Sequence, residues 1–306
     1  MVEKRFHRLS SILSERDAKQ EGELLFLEQV DRGADSGKSV GVDSLARLKA
    51  WFADCPGALV AFSGGVDSSL AAFLARHFLG KEYACAVISA SASLKLSDLE
   101  EAKTFARRHD LHLRVITTDE ISNPDYFRNP SNRCYYCKHT LYDELAGLRR
   151  EKPGWWVLNG TNADDFGDYR PGLRAADEFS VRSPLADCGL SKSDVRELAA
   201  HFTLECWDKP ASPCLSSRVP YGEEITVKKL RQIEDAEAVL KAAGFPVSRV
   251  RHYGTKAKIE VARDSVRKLE AERKEIEQRI RSLGFEEIEF DEEGFVSGKL
   301  NRVLGT

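Results

Sequence analysis

Apolar residues follow two alternating patterns from about residue 43 onwards. A continuous apolar run at residues 59–62 predicts a buried strand, and the apolar residues after it recur at helical spacing: Leu70, Phe73, Leu74 and Phe78. The alternation continues to residue 159, with further strands predicted at 83–89, 112–118 and 155–159. Strands that alternate with helices favour an α/β fold, with a parallel sheet and helices on both of its faces.

The pattern changes after Asp208. Residues 209–223 are rich in proline, serine and glycine, and they end the alternating region. The remaining chain predicts a small α+β domain: helix 226–243, strands 249–253 and 258–261, helix 264–283 and strand 285–290. We therefore divide the chain into three parts: an N-terminal extension (1–42), an α/β domain (43–222) and a C-terminal α+β domain (223–306).

The composition is that of an ordinary globular protein. Of the 306 residues, 42% are hydrophobic and 31% are charged, and the formal net charge of −3 gives no overall attraction to nucleic acid or to an anionic membrane. No apolar run approaches the ~18 residues of a membrane span. The polar extension, with at most a short helix at 24–30, lacks the apolar core of a secretion signal. We therefore expect a cytoplasmic protein without membrane or nucleic-acid partners.

The first predicted strand runs directly into a glycine-rich stretch, the phosphate loop: Ser63, Gly64, Gly65, Val66, Asp67, Ser68 and Ser69. A strand, a glycine turn and a helix aim backbone N–H groups and a helix N-terminus at one point, which suits a phosphate group. Asp67 would repel a phosphate unless Mg²⁺ lay between them, so we interpret it as a magnesium contact. The lysine of a Walker A motif is missing. The alternative is a tight turn without a ligand.

Ligands of open parallel sheets lie at the carboxyl ends of the strands. Besides the phosphate loop, this edge is predicted to carry Ser89, Gly160 and Asn162 as nucleotide contacts. The segment after it holds three arginines, which bind an anionic substrate or belong to a solvated surface loop: Arg170, Arg174 and Arg182.

Several of the seven cysteines occur in contexts that suggest chemistry, since a reducing compartment favours metal-binding or reactive thiols over disulfides. Cys134 and Cys137, the cysteine pair, are spaced to bind one metal or cluster at a helix N-terminus, although a structural role stays open. Candidates for a third ligand are Cys206 and Cys214, with Cys188 more distant. Cys214 is displayed between prolines in a loop that is as readily a domain linker as a site.

Several motifs that occur in one order resemble the LarE family, ATP-dependent sulfur transferases within the PP-loop ATP pyrophosphatase superfamily. They are the phosphate loop, Gly160-Thr-Asn-Ala-Asp-Asp165, Gly172-Leu-Arg-Ala175, Arg182-Ser-Pro-Leu185 and the segment from Lys209-Pro to Pro220-Tyr-Gly222. The resemblance covers about residues 43–300 and implies an adenine nucleotide α-hydrolase-like fold. It also implies a reaction. ATP adenylates a carboxylate of a pyridinium biscarboxylate mononucleotide, and sulfur then displaces AMP to give a thiocarboxylate for the nickel-pincer nucleotide.

The same resemblance implies roles for individual residues. Cys214 matches the family's sulfur-carrying cysteine, which either gives up its own sulfur or, together with Cys134 and Cys137, holds a 4Fe–4S cluster that carries an extra sulfide. We expect the cluster type, with sulfide or another sulfur donor as co-substrate. A zinc site closed by Cys206 is the alternative. The residues implied for the anionic mononucleotide are Ser217, Arg218, Glu237, Arg249 and Arg251. A homo-oligomer is also expected.

Two other kinds of protein compete with this interpretation. Other PP-loop enzymes thiolate tRNA or form amides, but the acidic net charge disfavours tRNA and amide synthesis leaves the three cysteines unexplained. A non-catalytic nucleotide- or metal-binding regulator would keep the same fold. The intact phosphate loop argues against that regulator, and release of pyrophosphate from ATP would separate an enzyme from a binding protein.

Overall fold

The computed structural model describes residues 40–167, 170–296, 299 and 302, with side chains from residue 43 onwards. The helix predicted at 24–30 and nearly all of the N-terminal extension lie outside these residues. The helices are α1 (Val40–Ala53), α2 (Val66–Leu79), α3 (Leu96–Arg108), α4 (Pro124–Phe127), α5 (Arg133–Arg149), α6 (Gly172–Glu178), α7 (Pro184–Asp187), α8 (Lys192–His201), α9 (Val227–Ala242) and α10 (Val266–Arg281). The strands are β1 (Ala58–Ala61), β2 (Ala84–Ser89), β3 (His112–Ile116), β4 (Trp156–Leu158), β5 (Ser248–Tyr253), β6 (Lys256–Val261) and β7 (Glu287–Phe290).

The first four strands form one parallel sheet in the order β3-β2-β1-β4. Val60 in the centre of the sheet pairs with Ala86 on one side and with Leu158 on the other. All four predicted strands are present, although β3 ends two residues early, at Ile116, where the carbonyl instead accepts from the Ala90 backbone N–H. The predicted parallel sheet is confirmed.

Alternate residues of the central strands face opposite layers of helices. Val60 and its neighbours pack against apolar residues of α1, α2, α3 and α8. Leu59 and Val157 point the other way and pack against Tyr142 and Leu145 of α5 and against α6. Because both faces are covered, the strands are nearly continuous apolar runs, as is typical of parallel sheets. The prediction of helices on both faces is confirmed.

The C-terminal residues form a second, smaller sheet in the order β5-β6-β7, antiparallel at the first pair and parallel at the second. Leu240 of α9 and Ile280 of α10 pack against Val250 and Ile259 in its core. Helix α9 begins after Thr226, whose side chain accepts from the Lys229 backbone N–H at 3.2 Å. The fold class is thus confirmed, while the domain boundaries at 42 and 222 stay predictions. Across the described residues, no helix is long and apolar enough to span a bilayer.

A buried histidine in β5 predicts that the protein loses stability in acid. His252 is 3% exposed, its Nδ1 has no hydrogen-bond partner among the described residues, and burial followed by the Lys229 charge lowers its pKa. The unfolded chain, with an ordinary histidine pKa near 6.5, binds more protons as the pH falls through that value. The free energy of unfolding should therefore be undiminished above about pH 7 and fall below it, by at most about 1.4 kcal/mol per pH unit from this group.

Urea unfolding between pH 5 and 8 tests this expectation. His252→Phe, next to Phe285, should flatten the acid limb, whereas His112→Gln on the exposed edge strand β3 should leave it unchanged. An equally steep acid limb in the His252→Phe protein would place the pH dependence elsewhere.

Candidate functional site

The phosphate loop joins β1 to the N-terminus of α2. Gly64 has a φ of +74°, which favours glycine, and a Cβ added there would lie 3.1 Å from the Ala102 side chain. The Ser63 backbone N–H donates to the Ser68 hydroxyl at 3.1 Å, and the two hydroxyls lie 2.9 Å apart. These contacts close the turn, so the first N–H groups of α2 lie at the carboxyl edge of the sheet.

Two other residues of the phosphate loop face the core. Val66 is 4% exposed, and Ser69 is fully buried with no hydrogen-bond partner for its hydroxyl among the described residues. Of these two residues, therefore, only the backbone atoms lie on the side of the loop where a nucleotide would bind. A nucleotide contact from the Ser69 hydroxyl stays a prediction that this burial does not favour.

Asp67 is held between an amide and an ammonium group. Its carboxylate accepts from Asn162 Nδ2 at 3.1 Å and from Lys192 Nζ at 2.5 Å. Burial raises the pKa of nearby Asp165, and the charge of Asp67 adds to that effect. Two carboxylates and a lysine at the phosphate loop provide oxygen ligands for Mg²⁺ and a cation for a phosphate oxygen.

Lys192 is not among the residues that the sequence predicted for this site. This lysine is the first residue of α8, where the helix dipole disfavours a cation, directly after the N-cap Ser191. A lysine in that position departs from local preference, and this departure could have identified it.

Gly160 lies against the backbone of the phosphate loop. A Cβ at this position would be 2.5 Å from the Ser68 nitrogen and 2.7 Å from the Asp67 carbonyl carbon. Gly160→Ala should therefore displace the loop, weaken ATP binding and destabilise the fold by about 1–3 kcal/mol. Gly147 in α5 provides the matched control, because a Cβ there meets nothing within 4 Å and Gly147→Ala should stabilise by about 0.5–1 kcal/mol. Urea unfolding and ATP titration of both variants would check this, and equal effects would contradict it.

The loop at residues 209–218, the cysteine loop, lies beside the phosphate loop. Lys209 Nζ donates to the Gly64 carbonyl at 3.4 Å, and the Leu215 backbone N–H donates to the Ser93 carbonyl at 2.8 Å. Ser93 follows the carboxyl end of β2, so the loop that carries Cys214 lies along the ligand edge of the sheet. The fold therefore joins two segments that are far apart in sequence.

Three buried arginines, the arginine cluster, hold the backbone of the cysteine loop: Arg218, Arg249 and Arg251. Arg218 donates to the carbonyls of Pro213 and Cys214 at 2.7 and 3.2 Å, Arg249 to Ala211 at 3.3 Å, and Arg251 to Ser217 at 2.9 Å. The Ser217 hydroxyl also donates to the Cys214 carbonyl at 2.8 Å. These four residues and Glu237, which pairs with Arg218, are the five predicted for the mononucleotide, and they lie in one largely buried network.

Positive charge exceeds negative charge in this network. Glu237 pairs with Arg218 at 2.9 Å and with Lys95 at 2.5 Å, and these two cations lower its pKa against the effect of burial. Arg251 pairs with Glu260 at 2.8 Å, whereas burial and the Arg218 charge lower the pKa of Arg249 to about 10. An anion such as a phosphate would balance the excess. Lys95, which was not predicted from the sequence, comes from the loop after β2.

The three candidate cluster cysteines act on one another electrostatically. Cys134 is exposed, while Cys137 and Cys214 are partly buried. Burial, then Glu120 and the charges of Cys214 and Cys134 raise the pKa of Cys137. Cys206 is 6% exposed and packs in the core of the parallel sheet. Within the described ranges, no three His, Cys, Asp or Glu side chains are gathered closely enough to hold a single metal ion.

Three other residues predicted for the site lie at separate points near the phosphate loop and the cysteine pair: Ser89, Arg170 and Arg174. The Ser89 hydroxyl lies 2.5 Å from that of Thr118 at the ligand edge. Arg170 pairs with Asp165 at 2.7 Å, beside Asp67. Arg174 bonds Glu178 at 3.0 Å and lies over the Tyr135 ring, next to Cys134.

Arg182 lies apart from these residues. Its guanidinium stacks 3.5 Å above the Trp156 ring, at the opposite end of β4 from Gly160. The substrate role of Arg182 stays a prediction that this geometry does not favour.

Comparisons with known proteins agree with this geometry. Residues 49–127 match the family model described as NAD synthase. The chain is 43% identical over 262 residues to the uncharacterized protein slr1717 of Synechocystis sp., covering 85% of this chain and 97% of that protein. It is 34% identical over 259 residues to the pyridinium-3,5-bisthiocarboxylic acid mononucleotide synthase of Lactiplantibacillus plantarum, covering 85% and 94%. It is 25% identical over 201 residues to a glutamine-hydrolyzing GMP synthase component of Saccharolobus islandicus, covering 60% and 54%.

Proposed function

The chain belongs to the PP-loop ATP pyrophosphatase family, and on that premise we propose that it is an ATP-dependent sulfur transferase. Its substrate would be pyridinium-3,5-biscarboxylate mononucleotide, and its product the thiocarboxylate that the name of the L. plantarum relative describes. One observation carries the proposal. The cysteine loop lies against the phosphate loop, where Lys209 reaches the Gly64 carbonyl.

The first step activates the substrate carboxylate. A carboxylate oxygen attacks the α-phosphorus of ATP, the bond from that phosphorus to the bridging oxygen breaks, and pyrophosphate leaves. The backbone N–H groups of the phosphate loop would hold the pyrophosphate, Asp67 would hold Mg²⁺, and Lys192 would compensate the charge that develops on the leaving group. The step gives an acyl adenylate.

The second step replaces AMP with sulfur. A sulfur lone pair supplied at Cys214 adds to the acyl carbon, the carbon–oxygen bond to AMP breaks, and AMP leaves with the electron pair. With hydrosulfide as the ultimate donor, carboxylate, ATP and HS⁻ give thiocarboxylate, AMP, pyrophosphate and one proton. The arginine cluster, with its excess of positive charge, would hold the phosphate of the mononucleotide.

The cysteines fit an iron–sulfur cluster better than a single metal ion. A structural zinc gathers four ligands about one ion, whereas each cysteine of a cluster binds its own iron, so the thiols need only surround a common space. The charges of Cys134 and Cys214 both raise the pKa of Cys137, yet the described residues do not bring the three thiols to one point as a single metal ion requires. Cys206 is buried elsewhere. These three cysteines would hold the cluster, which when bound would supply the sulfur that is transferred.

Product analysis tests the proposal. The anaerobically reconstituted chain should convert ATP, Mg²⁺, the biscarboxylate mononucleotide and sulfide into AMP, pyrophosphate and thiocarboxylate in equal amounts, measured by ³¹P NMR and mass spectrometry. ADP and inorganic phosphate as products would overturn the proposed ATP cleavage. An amide formed from ammonia in place of the thiocarboxylate would favour a ligase like the GMP synthase relative.

A further inference from the structure

Glu120 is the buried centre of a chain of hydrogen-bonded hydroxyl groups, the hydroxyl chain, at the ligand edge of the parallel sheet. This glutamate follows β3 and is 1% exposed. Its carboxylate oxygens accept from the hydroxyls of Ser93 at 2.8 Å and of Thr118 at 2.9 Å. Two outer hydroxyls extend the chain: that of Ser89 lies 2.5 Å from Thr118 Oγ1, and that of Ser91 lies 2.9 Å from Ser93 Oγ. Among the described residues no lysine, arginine or histidine pairs with Glu120, so hydroxyl groups alone satisfy its charge there.

The carboxylate fixes the direction of every hydrogen bond in the hydroxyl chain. A carboxylate has no proton to donate, so both inner hydroxyls must donate to Glu120. Each hydroxyl has a single proton, and the outer hydroxyls must therefore donate inwards, Ser89 to Thr118 and Ser91 to Ser93. Ser89 and Ser91 are partly exposed, and each then has only lone pairs left to offer a ligand.

The hydroxyl chain lies between the phosphate loop and the cysteine loop. The Phe62 backbone N–H donates to the Val87 carbonyl at 2.9 Å, so the phosphate loop, which begins at the next residue, starts beside the end of β2 that carries Ser89. At the other side, the Ser93 carbonyl accepts from the Leu215 backbone N–H of the cysteine loop at 2.8 Å. A nucleotide with its phosphates at the first loop and its acyl group at the second would place its nucleoside part along this stretch.

We propose that Ser89 and Ser91 are specificity-determining acceptors for the nucleoside part of ATP, held in the accepting orientation by Glu120. The inference rests on ATP as the substrate of the proposed function. Outward lone pairs repel the oxygens of a phosphate and accept from O–H or N–H donors, which the ribose hydroxyls and the exocyclic amine of adenine both supply. A nucleotide without the matching donor leaves a serine oxygen desolvated and unpaired, and the site therefore discriminates against it.

Analogues of ATP that each lack one donor test the assignment. Both 2′-deoxyATP and 3′-deoxyATP lack a ribose hydroxyl, and purine riboside triphosphate lacks the exocyclic amine. In calorimetric titrations with Mg²⁺ and without the acyl substrate, at least one analogue should bind the wild-type chain about 10-fold more weakly than ATP, and its identity names the donor. Equal affinity for ATP and all the analogues would overturn the inference. If wild type does not bind ATP at all, the proposed function itself fails, which is a distinct result.

Removal of the two acceptors should remove the discrimination. In the Ser89→Ala/Ser91→Ala protein, ATP and the disfavoured analogue should bind within about 3-fold of each other, because neither can then use the missing contact. Ser282→Ala removes an exposed hydroxyl beyond the end of α10 and should keep the wild-type ratio of affinities. A ratio that stays at the wild-type value in the double variant would contradict the role of the serines.

The orienting role of Glu120 has a separate test, in which both outer serines are kept. Thr118→Val and Ser93→Ala together remove the hydroxyls that join them to Glu120, so each outer serine is free to turn its proton outwards. The ratio of affinities for ATP and the disfavoured analogue should fall by at least about 3-fold in this protein. An unchanged ratio in the folded variant would show that Glu120 does not set the direction of the hydroxyl chain.

Discussion

A Cys214→Ala protein should cleave ATP and make no thiocarboxylate. Asp67 pairs with Lys192, and it is Lys209 that reaches the phosphate loop from the cysteine loop, so substrate-dependent pyrophosphate exchange should stay near the wild-type rate. Without the thiol there is no sulfur nucleophile at the acyl carbon, and thiocarboxylate should fall by at least about 1,000-fold, to the level set by direct attack of free sulfide. Pyrophosphate exchange and thiocarboxylate formation, the latter by mass spectrometry, would be measured on the same preparation, and only thiocarboxylate formation should be lost.

Cys188 supplies the matched control for this variant. Burial and then Asp187 raise the pKa of Cys188 to about 11, which keeps it a thiol at neutral pH, so Cys188→Ala should transfer sulfur like wild type. The mass of the wild-type chain after turnover adds a second result. A loss equal to hydrogen sulfide would mean that Cys214 gives up its own sulfur, and an unchanged mass would favour the cluster. Sulfur transfer by Cys214→Ala at the wild-type rate would contradict the role of this cysteine.

An Asp67→Asn protein should lose ATP cleavage while keeping its fold. Asparagine preserves the volume and can still meet Asn162, but it removes the charge that would hold Mg²⁺ and leaves Lys192 without its carboxylate. We expect pyrophosphate release to fall by at least about 100-fold, the range for loss of one electrostatic contact to a transition state. Steady-state release at several Mg²⁺ concentrations measures the effect.

Asp187→Asn is the control for removal of a single carboxylate, because Asp187 lies at the exposed end of α7 and accepts from the Trp51 indole at 3.1 Å. Its pyrophosphate release should match wild type. If Asp67→Asn also matched wild type at saturating Mg²⁺, the aspartate would be a structural residue of the loop, and the magnesium assignment would be wrong.

The elements of the fold were largely predictable, since their signals are local. The buried strands are continuous apolar runs, the phosphate loop joins the first of them to α2, and Thr226 caps α9. The pairing of distant side chains was not predictable in the same way. Lys192 meets Asp67 across 125 residues and Lys95 meets Glu237 across 142, and the sequence around each lysine does not identify its partner.

The residues whose substrate roles were implied by the family resemblance show the same limit of sequence-based prediction. Arg218, Arg249 and Arg251 share a network, but their guanidinium groups bond carbonyls of the cysteine loop, a role that motif spacing could not show because backbone acceptors carry no sequence signal. Arg182 follows a strand end in sequence, yet its side chain turns back over Trp156 because an aromatic face is available there. The position of a residue in the sequence predicted which helix, strand or loop it belongs to. It did not predict the direction in which its side chain points.

The arginine cluster also affects the order in which a new chain can complete its site. Arg249 is 38 residues beyond Ala211, whose carbonyl it holds, so the cysteine loop is synthesised before Arg249 and Arg251, two of the three arginines that hold it. The phosphate loop packs against Gly160, which is synthesised earlier still. The nucleotide half of the site can therefore form first during synthesis, and the sulfur-bearing half is fixed only after β5 has emerged.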